Sequence, residues 1–302
     1  MDRGDQLVEI TDHLVERDGD GRRLPVRRDE LVDRLRVAGD RRAARLVAEL
    51  PAPGGVLDED AVDRLLVAVH LEIQRLSEEF RHGRRVWGLV RPLVASLRAA
   101  GVAPPYRVVD LGCGSGFVVR WLAAHVDDPD VELVGVDLEA TLVDEARRLA
   151  EIEQLRCRFE VGDALDPQVA ASIVVSTGVL HHLRGEALDR FFAAHDRPSL
   201  QGFVHLDFQP SPLAGAGAWL FHRTRARLAV SRHDGVVSAR RSHDRVRLAE
   251  AVRAIEPAFE VRALPARVRA TPFPCVLTTL VGARPGLWPA VRQGLPRTEA
   301  VV

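Results

Sequence analysis

The sequence predicts an α/β protein with a doubly wound, mostly parallel sheet of seven strands and an N-terminal helical cap. From about residue 101 onwards, short apolar runs alternate with amphipathic helical stretches, which is typical of βαβ units with helices on both sheet faces. A glycine-rich turn joins the first of these runs to the helix that follows it. The residues before position 101 have almost entirely helical periodicity. Together, these three observations indicate the fold class.

Seven apolar runs are the predicted strands. Five belong to the alternating part of the chain, and two later runs add strands near its end. The predicted strands cover residues 107–111, 132–138, 158–163, 172–177, 203–208, 259–264 and 275–282. The helical stretches between the first five strands cover residues 117–126, 140–154 and 185–195.

Residues 1–100 are predicted to form the helical cap, on the side of the substrate. Its clearest helix lies in residues 57–80, where apolar side chains recur at helical spacing on one face. Asp58 or Asp60 is expected to cap the start of this helix, and Gly83 lies just beyond its predicted end. Residues 101–290 are then the sheet domain, and residues 291–302 are a tail.

Composition excludes several classes of protein. The chain has 302 residues and a formal net charge of -1, so no overall basic field predicts a nucleic-acid partner. Its three cysteines are odd in number and lack CxxC spacing, which argues against a disulfide framework and against a metal site. A charged start and the lack of a long apolar run predict a soluble, cytoplasmic protein without a membrane span. The absence of lysine is typical of a GC-rich bacterial genome.

The glycine-rich turn lies at the carboxyl end of the first predicted strand, in "VVDLGCGSGF". Gly112, Gly114 and Gly116 permit a tight turn and bring backbone N–H groups close to a ligand. The spacing is GxGxG rather than the GxGxxG of a dinucleotide site, and Asp110 precedes it. A carboxylate at that position favours a cationic ligand over a pyrophosphate.

Two further acidic residues end the next two strands. Asp137 lies where a side chain can accept hydrogen bonds from both ribose hydroxyls. Asp163 lies where a carboxylate can accept a hydrogen bond from the exocyclic amine of adenine. The pattern therefore predicts a pocket for an adenosine without a diphosphate, and S-adenosylmethionine is such a molecule.

From about residue 106 to residue 208, the chain resembles the class I S-adenosylmethionine-dependent methyltransferases, which have a Rossmann-like sheet. Four motifs occur in the family's order: "VVDLGCGSG", "LVGVDL", "VGDALD" and "SIVVSTGVLHHL". The last is similar to the branch of the family related to ubiquinone and menaquinone biosynthesis, whose enzymes act on small molecules. One departure is that Ala171 and Ser172 stand where an aspartate usually opens the fourth strand.

The resemblance implies a set of cofactor-binding residues. The three glycines would border the methionine moiety, with Cys113 inside the same loop, and Asp110 would lie close to the amino group. Asp137 would hold the ribose, and the adenine would meet Leu138 and the edge formed by Asp163 and Ala164. Ser176 and Thr177 would line the pocket floor. The full set is Asp110, Gly112, Cys113, Gly114, Gly116, Asp137, Leu138, Asp163, Ala164, Ser176 and Thr177.

Methyl transfer from a sulfonium needs alignment of the acceptor, and a base where the acceptor is a hydroxyl. His181 and His182 are the candidate bases beside the methyl pocket, and Asp207 at the end of the fifth strand is a candidate for the acceptor site. His205 in the same strand is expected to be structural. The predicted acceptor is a small, partly apolar molecule, methylated at oxygen or carbon.

Residues 211–243 form a predicted insertion that covers the acceptor like a lid. Trp219 and Phe221 lie on a helix whose end is basic, and "HDGVVSARR" follows it. This passage resembles an element of many bacterial small-molecule methyltransferases. Packing of the two aromatic residues on the core is the alternative to a role in binding the acceptor. The arginines of the insertion either form a solvated face or bind an acidic substrate.

Two other functions stay open at this point: a methyltransferase for protein or RNA, and a catalytically inactive protein that binds S-adenosylmethionine as a partner. A nicotinamide dehydrogenase is disfavoured by the sequence of residues 110–116. Enzymes that methylate amino groups of nucleobases carry an Asn/Asp-Pro-Pro-aromatic run after the fourth strand, where this chain has "STGV". The Pro274–Cys275 pair lies in the wrong element for a cytosine-5 nucleophile. Oligomeric state is not predicted.

Overall fold

The computed structural model describes residues 8–211, 214–253, 255, 258–268 and 275–295. The helices are α1 (Arg28–Val37), α2 (Arg41–Ala48), α3 (Glu59–Glu79), α4 (His82–Ala99), α5 (Phe117–His125), α6 (Ala140–Ile152), α7 (Glu186–Ala193), α8 (Ala214–Arg225), α9 (Ala229–Arg241), α10 (Arg245–Arg253) and α11 (Trp288–Gly294). The strands are β1 (Glu16–Arg17), β2 (Arg23–Leu24), β3 (Tyr106–Leu111), β4 (Val131–Asp137), β5 (Arg158–Val161), β6 (Ile173–Thr177), β7 (Gly202–Phe208), β8 (Glu260–Val268) and β9 (Cys275–Ala283).

The chain divides into two compact units. The helical unit comprises Met1–Ile73 and Pro210–Arg241, and the sheet unit comprises Gln74–Gln209 and Ser242–Val302. The division falls inside α3, upstream of the boundary that the sequence places at residue 100. It also groups most of the predicted 211–243 insertion with the N-terminal segment. The roles predicted for these regions stay predictions.

The sheet unit contains seven strands in the order β5-β4-β3-β6-β7-β9-β8. The first five are parallel, while β9 pairs antiparallel with both β7 and β8. The prediction of a mostly parallel, Rossmann-like sheet of seven strands is confirmed. The strand order reverses between β3 and β6, and ligands bind at such switch points in open α/β sheets.

Two apolar clusters cover the two faces of this sheet. Because side chains alternate along a strand, Val108 belongs to one cluster and Val109 to the other. Helices α4, α5, α6 and α11 contribute to the first cluster, and α7 and α10 contribute to the second. Helices on both faces leave the strands buried, which explains their continuous apolar runs.

The helical unit packs α1 on α2, α2 on α9 and α8 on α9. The prediction of an almost entirely helical N-terminal segment is wrong in one place, because β1 and β2 pair as a short antiparallel hairpin. The hairpin turn depends on Asp18, whose Oδ1 accepts from the N–H groups of Asp20 and Arg22 at 2.9 Å each. The two strands have only two residues each, and three of these four residues are charged, so the sequence has no apolar alternation from which a strand could be predicted.

The "HDG" passage lies within α9 and ties together three parts of the helical unit. The His233 ring contacts two carboxylates, Asp234 at 2.7 Å and Asp40 at 2.8 Å. Asp234 also accepts from the backbone N–H of Ile10 at 2.9 Å and of Thr11 at 3.1 Å. Asp40 in turn caps the N-terminus of α2. The passage therefore stabilises the helical unit through buried polar contacts.

Gly83 lies beyond the end of α3, as predicted, but the next helix has already begun there. It lies in the first turn of α4, where an added Cβ would overlap the indole ring of Trp121. Arg81 instead has the left-handed backbone conformation that separates α3 from α4, with φ 54°. The predicted cap at Asp58 is present, since its Oδ1 accepts from the N–H of Ala61 at 2.7 Å. No helix in the described part of the chain is both long and apolar enough to cross a bilayer.

Candidate active site

The candidate site lies in the sheet unit at the carboxyl ends of β3, β4, β6 and β7, where parallel strands deliver their terminal side chains to one edge. Gly112, Gly114 and Gly116 follow β3 with φ of 70°, 53° and 76°. A Cβ at Gly112 would lie 2.6 Å from Val179 Cγ2, and one at Gly116 would overlap the ring of Phe159. Both the backbone conformation and the close packing therefore require glycine in this loop.

Asp110 is the penultimate residue of β3, two positions before Gly112, and is only 2% exposed. Its Oδ1 has no hydrogen-bond partner among the described residues. Burial, together with the negative charge of Asp137, raises the pKa of Asp110 to about 8. A buried carboxyl oxygen without a partner has a free energy cost that a donor from a ligand would remove.

Asp137 ends β4 and spans the glycine loop. Its Oδ2 accepts from the N–H of Gly114 at 2.7 Å, and its Oδ1 accepts from the N–H of Glu139 at 2.9 Å. The carboxylate is therefore fixed between the loop and the start of α6. Each carboxylate oxygen has a further lone pair, so these contacts leave acceptor capacity for ribose hydroxyls.

The residues predicted to meet adenine lie at the surface beyond β4 and β5. Leu138 is 45% exposed, a large exposed fraction for an apolar side chain beside a polar loop. Asp163 is exposed, and its Oδ1 accepts from the N–H of Leu165 at 2.8 Å. Ala164 is half-buried and packs against the second apolar cluster. β5 ends at Val161, two residues earlier than predicted, so Asp163 lies in the turn after the strand.

Cys113 and Ser176 direct their side chains into the protein. Cys113 is 9% exposed, and burial raises the pKa of its thiol, so the sulfur packs as an apolar group. Ser176 is fully buried, and its hydroxyl lies 2.8 Å from His205 Nδ1. Thr177 is half-buried at the end of β6. Contact between these three residues and a cofactor stays a prediction.

His205 belongs to a buried polar chain. Its Nε2 lies 2.9 Å from His195 Nε2, and His195 Nδ1 lies 2.8 Å from the carbonyl oxygen of Phe191. That carbonyl can only accept, so His195 donates from Nδ1 and accepts from His205, which in turn accepts from the Ser176 hydroxyl. Burial lowers the pKa of both histidines, to about 4 for His195. Neutral rings in a satisfied chain agree with a structural role for His205.

His181 and Asp207 form a buried dyad at the carboxyl end of β7. Asp207 Oδ1 lies 2.8 Å from His181 Nδ1, and Asp207 Oδ2 accepts from the His181 backbone N–H, also at 2.8 Å. Burial by itself would raise the pKa of Asp207, but His181 and the backbone N–H donors lower it below its usual value. The carboxylate therefore fixes the orientation of the imidazole. His182 is exposed, and its ring centroid lies 4.3 Å from that of His181.

The sequence analysis missed an aromatic cluster beside this dyad. Phe208 contacts the His181 ring at 6.1 Å and the Phe80 ring at 6.3 Å between centroids, and Phe80 contacts His82 at 5.8 Å. His82 is 6% exposed, and its Nε2 has no hydrogen-bond partner in the described ranges. Burial, followed by the charge of Arg85, lowers the pKa of His82 to about 4. The available signal was a histidine inside "EEFRHGRRVWGLV", between two helical runs.

Comparison with known proteins identifies the part of the chain that contains these residues. Residues 108–197 match the family model described as "Methyltransferase domain". This match covers β3 through α7 and includes the glycine loop, Asp137, Asp163 and His181. The prediction of a class I S-adenosylmethionine-dependent methyltransferase domain is confirmed, while the narrower ubiquinone-like branch stays a prediction.

Among the proteins that are similar to this chain are two curated relatives and one solved structure. Ribosomal RNA small subunit methyltransferase C of Alcanivorax borkumensis is 27% identical over 52% of this chain and 47% of its own length. Trans-aconitate 2-methyltransferase of Pseudomonas paraeruginosa is 34% identical over 31% of this chain and 32% of its own length. The chain thus spans less than half the length of either relative. The plantazolicin methyltransferase BpumL, solved in complex with triazolic desmethylPZN analog and SAH, has a TM-score of 0.52 at 10% identity. That match covers 75% of this chain and 92% of that chain, and it shows the fold alone.

Proposed function

We propose that this protein transfers the methyl group of S-adenosylmethionine to a small, partly apolar acceptor, at oxygen or carbon. The observation on which this depends is the buried Asp110 carboxyl, whose free oxygen lies at a loop of three left-handed glycines. The family match over residues 108–197 supports the reaction type. The acceptor and the methylated atom are inferred from the residues around His181.

The donor set of the loop fits this cofactor. The unpartnered Asp110 Oδ1 suits the ammonium group of the methionine moiety, and the glycines allow the backbone to approach it closely. The exposed Leu138 offers an apolar surface to the adenine. A dinucleotide would instead bring a pyrophosphate to a loop that the negatively charged Asp137 spans, and like charges at that distance are unfavourable.

When bound, S-adenosylmethionine supplies an electrophilic methyl group on a sulfonium, which leaves as a neutral thioether. The protein's tasks are to align the acceptor and to exclude water. Because Asp207 holds His181 Nδ1, the ring directs its other nitrogen away from the carboxylate. That nitrogen is the candidate to receive a proton from a hydroxyl or an acidic carbon of the acceptor.

The surroundings of the dyad support a partly apolar acceptor. Phe208 lies within aromatic contact distance of both His181 and Phe80. Aromatic side chains offer a large apolar surface to a flat ligand. The combination of an apolar wall and a positioned base fits a phenol or an enol better than an amine, which needs no base once it is neutral.

Ribosomal RNA is the second candidate acceptor, favoured by the similarity to a methyltransferase of that name. The near-zero net charge of -1 weighs against it, because RNA binding depends strongly on basic residues. The same experiment separates the two acceptors.

The test is a transfer assay with methyl-labelled S-adenosylmethionine and two sets of acceptors, a panel of phenols and enols and a preparation of ribosomal RNA. We expect labelled small-molecule product, with a rate about 10²–10⁴-fold lower in His181→Gln. His125→Gln is the matched control, because its side chain on α5 is exposed and contacts Trp121, through the carbonyl oxygen and by ring stacking, rather than the dyad. Label in RNA alone, or equal rates in both variants, would contradict the proposal.

A further inference from the structure

A cavity of about 450 Å³ lies between α8 and α9, entirely within the helical unit. Its lining residues are Ser211, Gly215, Ala216, Trp219, Val236 and Arg240. Positions 215 and 219 of α8 are four residues apart, as are 236 and 240 of α9, so each helix presents one face to the cavity, and Ser211 precedes α8. The volume is within the usual range for small-molecule sites, about 300–1,000 Å³.

Trp219 supplies the aromatic wall of this cavity. Its side chain is 53% exposed, although tryptophan is highly buried on average. A single exposed apolar residue is ordinary on a protein surface. Here, however, the exposed indole borders a concave site and lies near a cation, so it offers one face for stacking a flat ligand.

Arg240 supplies the charge. Its side chain lies on the backbone of Gly215, since a Cβ added there would be 2.6 Å from Arg240 Nε. No carboxylate within the described ranges pairs with Arg240. Two neighbouring arginines of α9 have acceptors of their own. Arg241 pairs with the carboxylate of Asp12 at 2.7 Å, and Arg232 donates to the backbone carbonyl oxygen of Ala226 at 2.8 Å.

The surrounding segment favours an anion. Residues 210–241 contain six arginines and a single acidic residue, Asp234. That carboxylate is 5% exposed and already contacts His233 and the backbone of Ile10. Carboxylates from other segments also reach α9, but they are paired there, Glu9 and Asp12 with Arg241 and Asp40 with His233. None of them is among the described residues that line the cavity, where Arg240 is the charged side chain and makes the local potential positive.

We propose that the α8–α9 cavity binds a small aromatic carboxylate, with the ring stacked on Trp219 and the carboxylate paired with Arg240. A guanidinium forms paired, nearly parallel hydrogen bonds with a carboxylate, and a flat ring matches the indole face. Gly215 makes this arrangement possible, because a side chain there would displace the arginine. The inference goes beyond methyl transfer and needs no cofactor, so it stands or falls separately from the proposed function.

The test is a titration of the intact protein with 2-naphthoate, and with the neutral 2-naphthamide, in the absence of cofactor. Binding is followed by the indole N–H resonance of Trp219 in NMR spectra, assigned through Trp219→Phe. We expect a dissociation constant on the order of 1 mM or tighter, as for a fragment-sized ligand. The amide should bind about 5-fold more weakly or worse, and added salt should weaken 2-naphthoate alone.

Arg240→Gln is the decisive variant, and Arg227→Gln is its matched control. Both arginines are exposed, so neither change should affect folding, but only Arg240 lines the cavity. Loss of the charge should weaken 2-naphthoate about 5- to 10-fold in Arg240→Gln and leave Arg227→Gln like the wild type. The proposal is overturned if 2-naphthoate does not shift the Trp219 resonance at a ligand concentration about 10-fold above the expected dissociation constant. Equal binding of the amide, or equal binding by the two variants, would overturn it as well.

Discussion

At the scale of single residues, Asp110 has the most unusual environment in the candidate site. It is buried, one of its oxygens has no partner among the described residues, and its nearest acidic neighbour is Asp137. The thiol of Cys113 is the other titratable group of the loop, and burial keeps it protonated. A carboxyl with a pKa of about 8 holds its proton at neutral pH, so a cationic ligand has to displace that proton.

We therefore predict that cofactor binding near pH 7 releases about one proton and that affinity rises with pH up to about 8. The sign follows from the raised pKa: the charged form that attracts an ammonium group becomes dominant only as pH rises. Calorimetry in buffers of different ionisation enthalpy measures the released proton. Asp110→Asn should bind weakly without this release. A buffer-independent binding heat in the wild type would contradict the prediction.

Asp207 leads to a prediction about stability. Asp207 accepts buried hydrogen bonds from the ring and the backbone N–H of His181, so Asp207→Asn should lower the free energy of unfolding by about 1–3 kcal/mol. Asp189→Asn is the control, since its pair with Arg247 is half-exposed and should be worth about 1 kcal/mol or less. Urea unfolding measures both, and equal losses would contradict the buried pairing.

The same carboxylate gives a pH dependence. The pKa of Asp207 is lowered in the folded protein, so its contribution to stability is present above the usual carboxyl pKa and is lost as pH falls through the folded value. Acid unfolding of the wild type should therefore be steeper than that of Asp207→Asn.

Residues of the site could be predicted from sequence where their chemistry depends on local spacing. Gly112 and Gly116 were predicted because a strand, a tight turn and a helix follow each other along the chain. His82 was not, because the charge of Asp207 that acts on its pKa comes from a segment more than 120 residues away, and helical periodicity says nothing about such long-range proximity. The inward direction of the Ser176 hydroxyl likewise depends on His205 in the neighbouring strand.

At the scale of elements, the sheet was predicted well because its strands are buried on both faces. Such strands have long apolar runs that end at glycine or aspartate, as β3 and β4 do. The hairpin of β1 and β2 was missed because its two-residue strands have charged or half-exposed side chains. The ends of a helix are harder to predict from sequence where contacts with another helix decide them. The start of α4 is an example, because Gly83 packs there against Trp121 of α5.

Two glycines of α4 provide a matched pair. An added Cβ at Gly83 would overlap the Trp121 ring, whereas Gly88 has no neighbour within 4 Å of that position. We predict that Gly83→Ala destabilises the protein by about 1–3 kcal/mol through overpacking. Gly88→Ala should stabilise it by up to about 1 kcal/mol through helix propensity. Thermal unfolding measures both changes, and a shift of the same sign in the two variants would contradict this packing.

The helical unit should respond to pH through α9. Burial by itself would lower the pKa of His233, but the carboxylates of Asp234 and Asp40 raise it above its usual value. A raised folded pKa gives stability that is fully present below the unfolded pKa, about 6.5, and is lost as pH rises through the folded value. Hydrogen exchange of the α9 amides should therefore become faster, relative to the intrinsic exchange rate, as the pH rises through the raised pKa of His233. His233→Gln should remove this change, and its persistence would contradict the account.

At the scale of the whole molecule, only one of the two units has a match to a known protein family. The family match covers only residues 108–197, within the sheet unit, where the sequence motifs, the fold and the geometry agree. The helical unit lies outside that match, and its buried polar contacts were not predictable from periodicity.

The central claim is that the glycine loop and its two aspartates bind S-adenosylmethionine. Isothermal titration calorimetry with S-adenosylmethionine and its demethylated product tests it most directly, in the wild type, in Asp137→Ala and in the control Asp144→Asn. Asp144 is an exposed residue of α6 that pairs only with Arg147. We expect micromolar binding that weakens by about 1–3 kcal/mol in Asp137→Ala, because hydroxyl partners are left unpaired, and no change in the control. Absence of binding, or binding that is indifferent to Asp137, would contradict the claim.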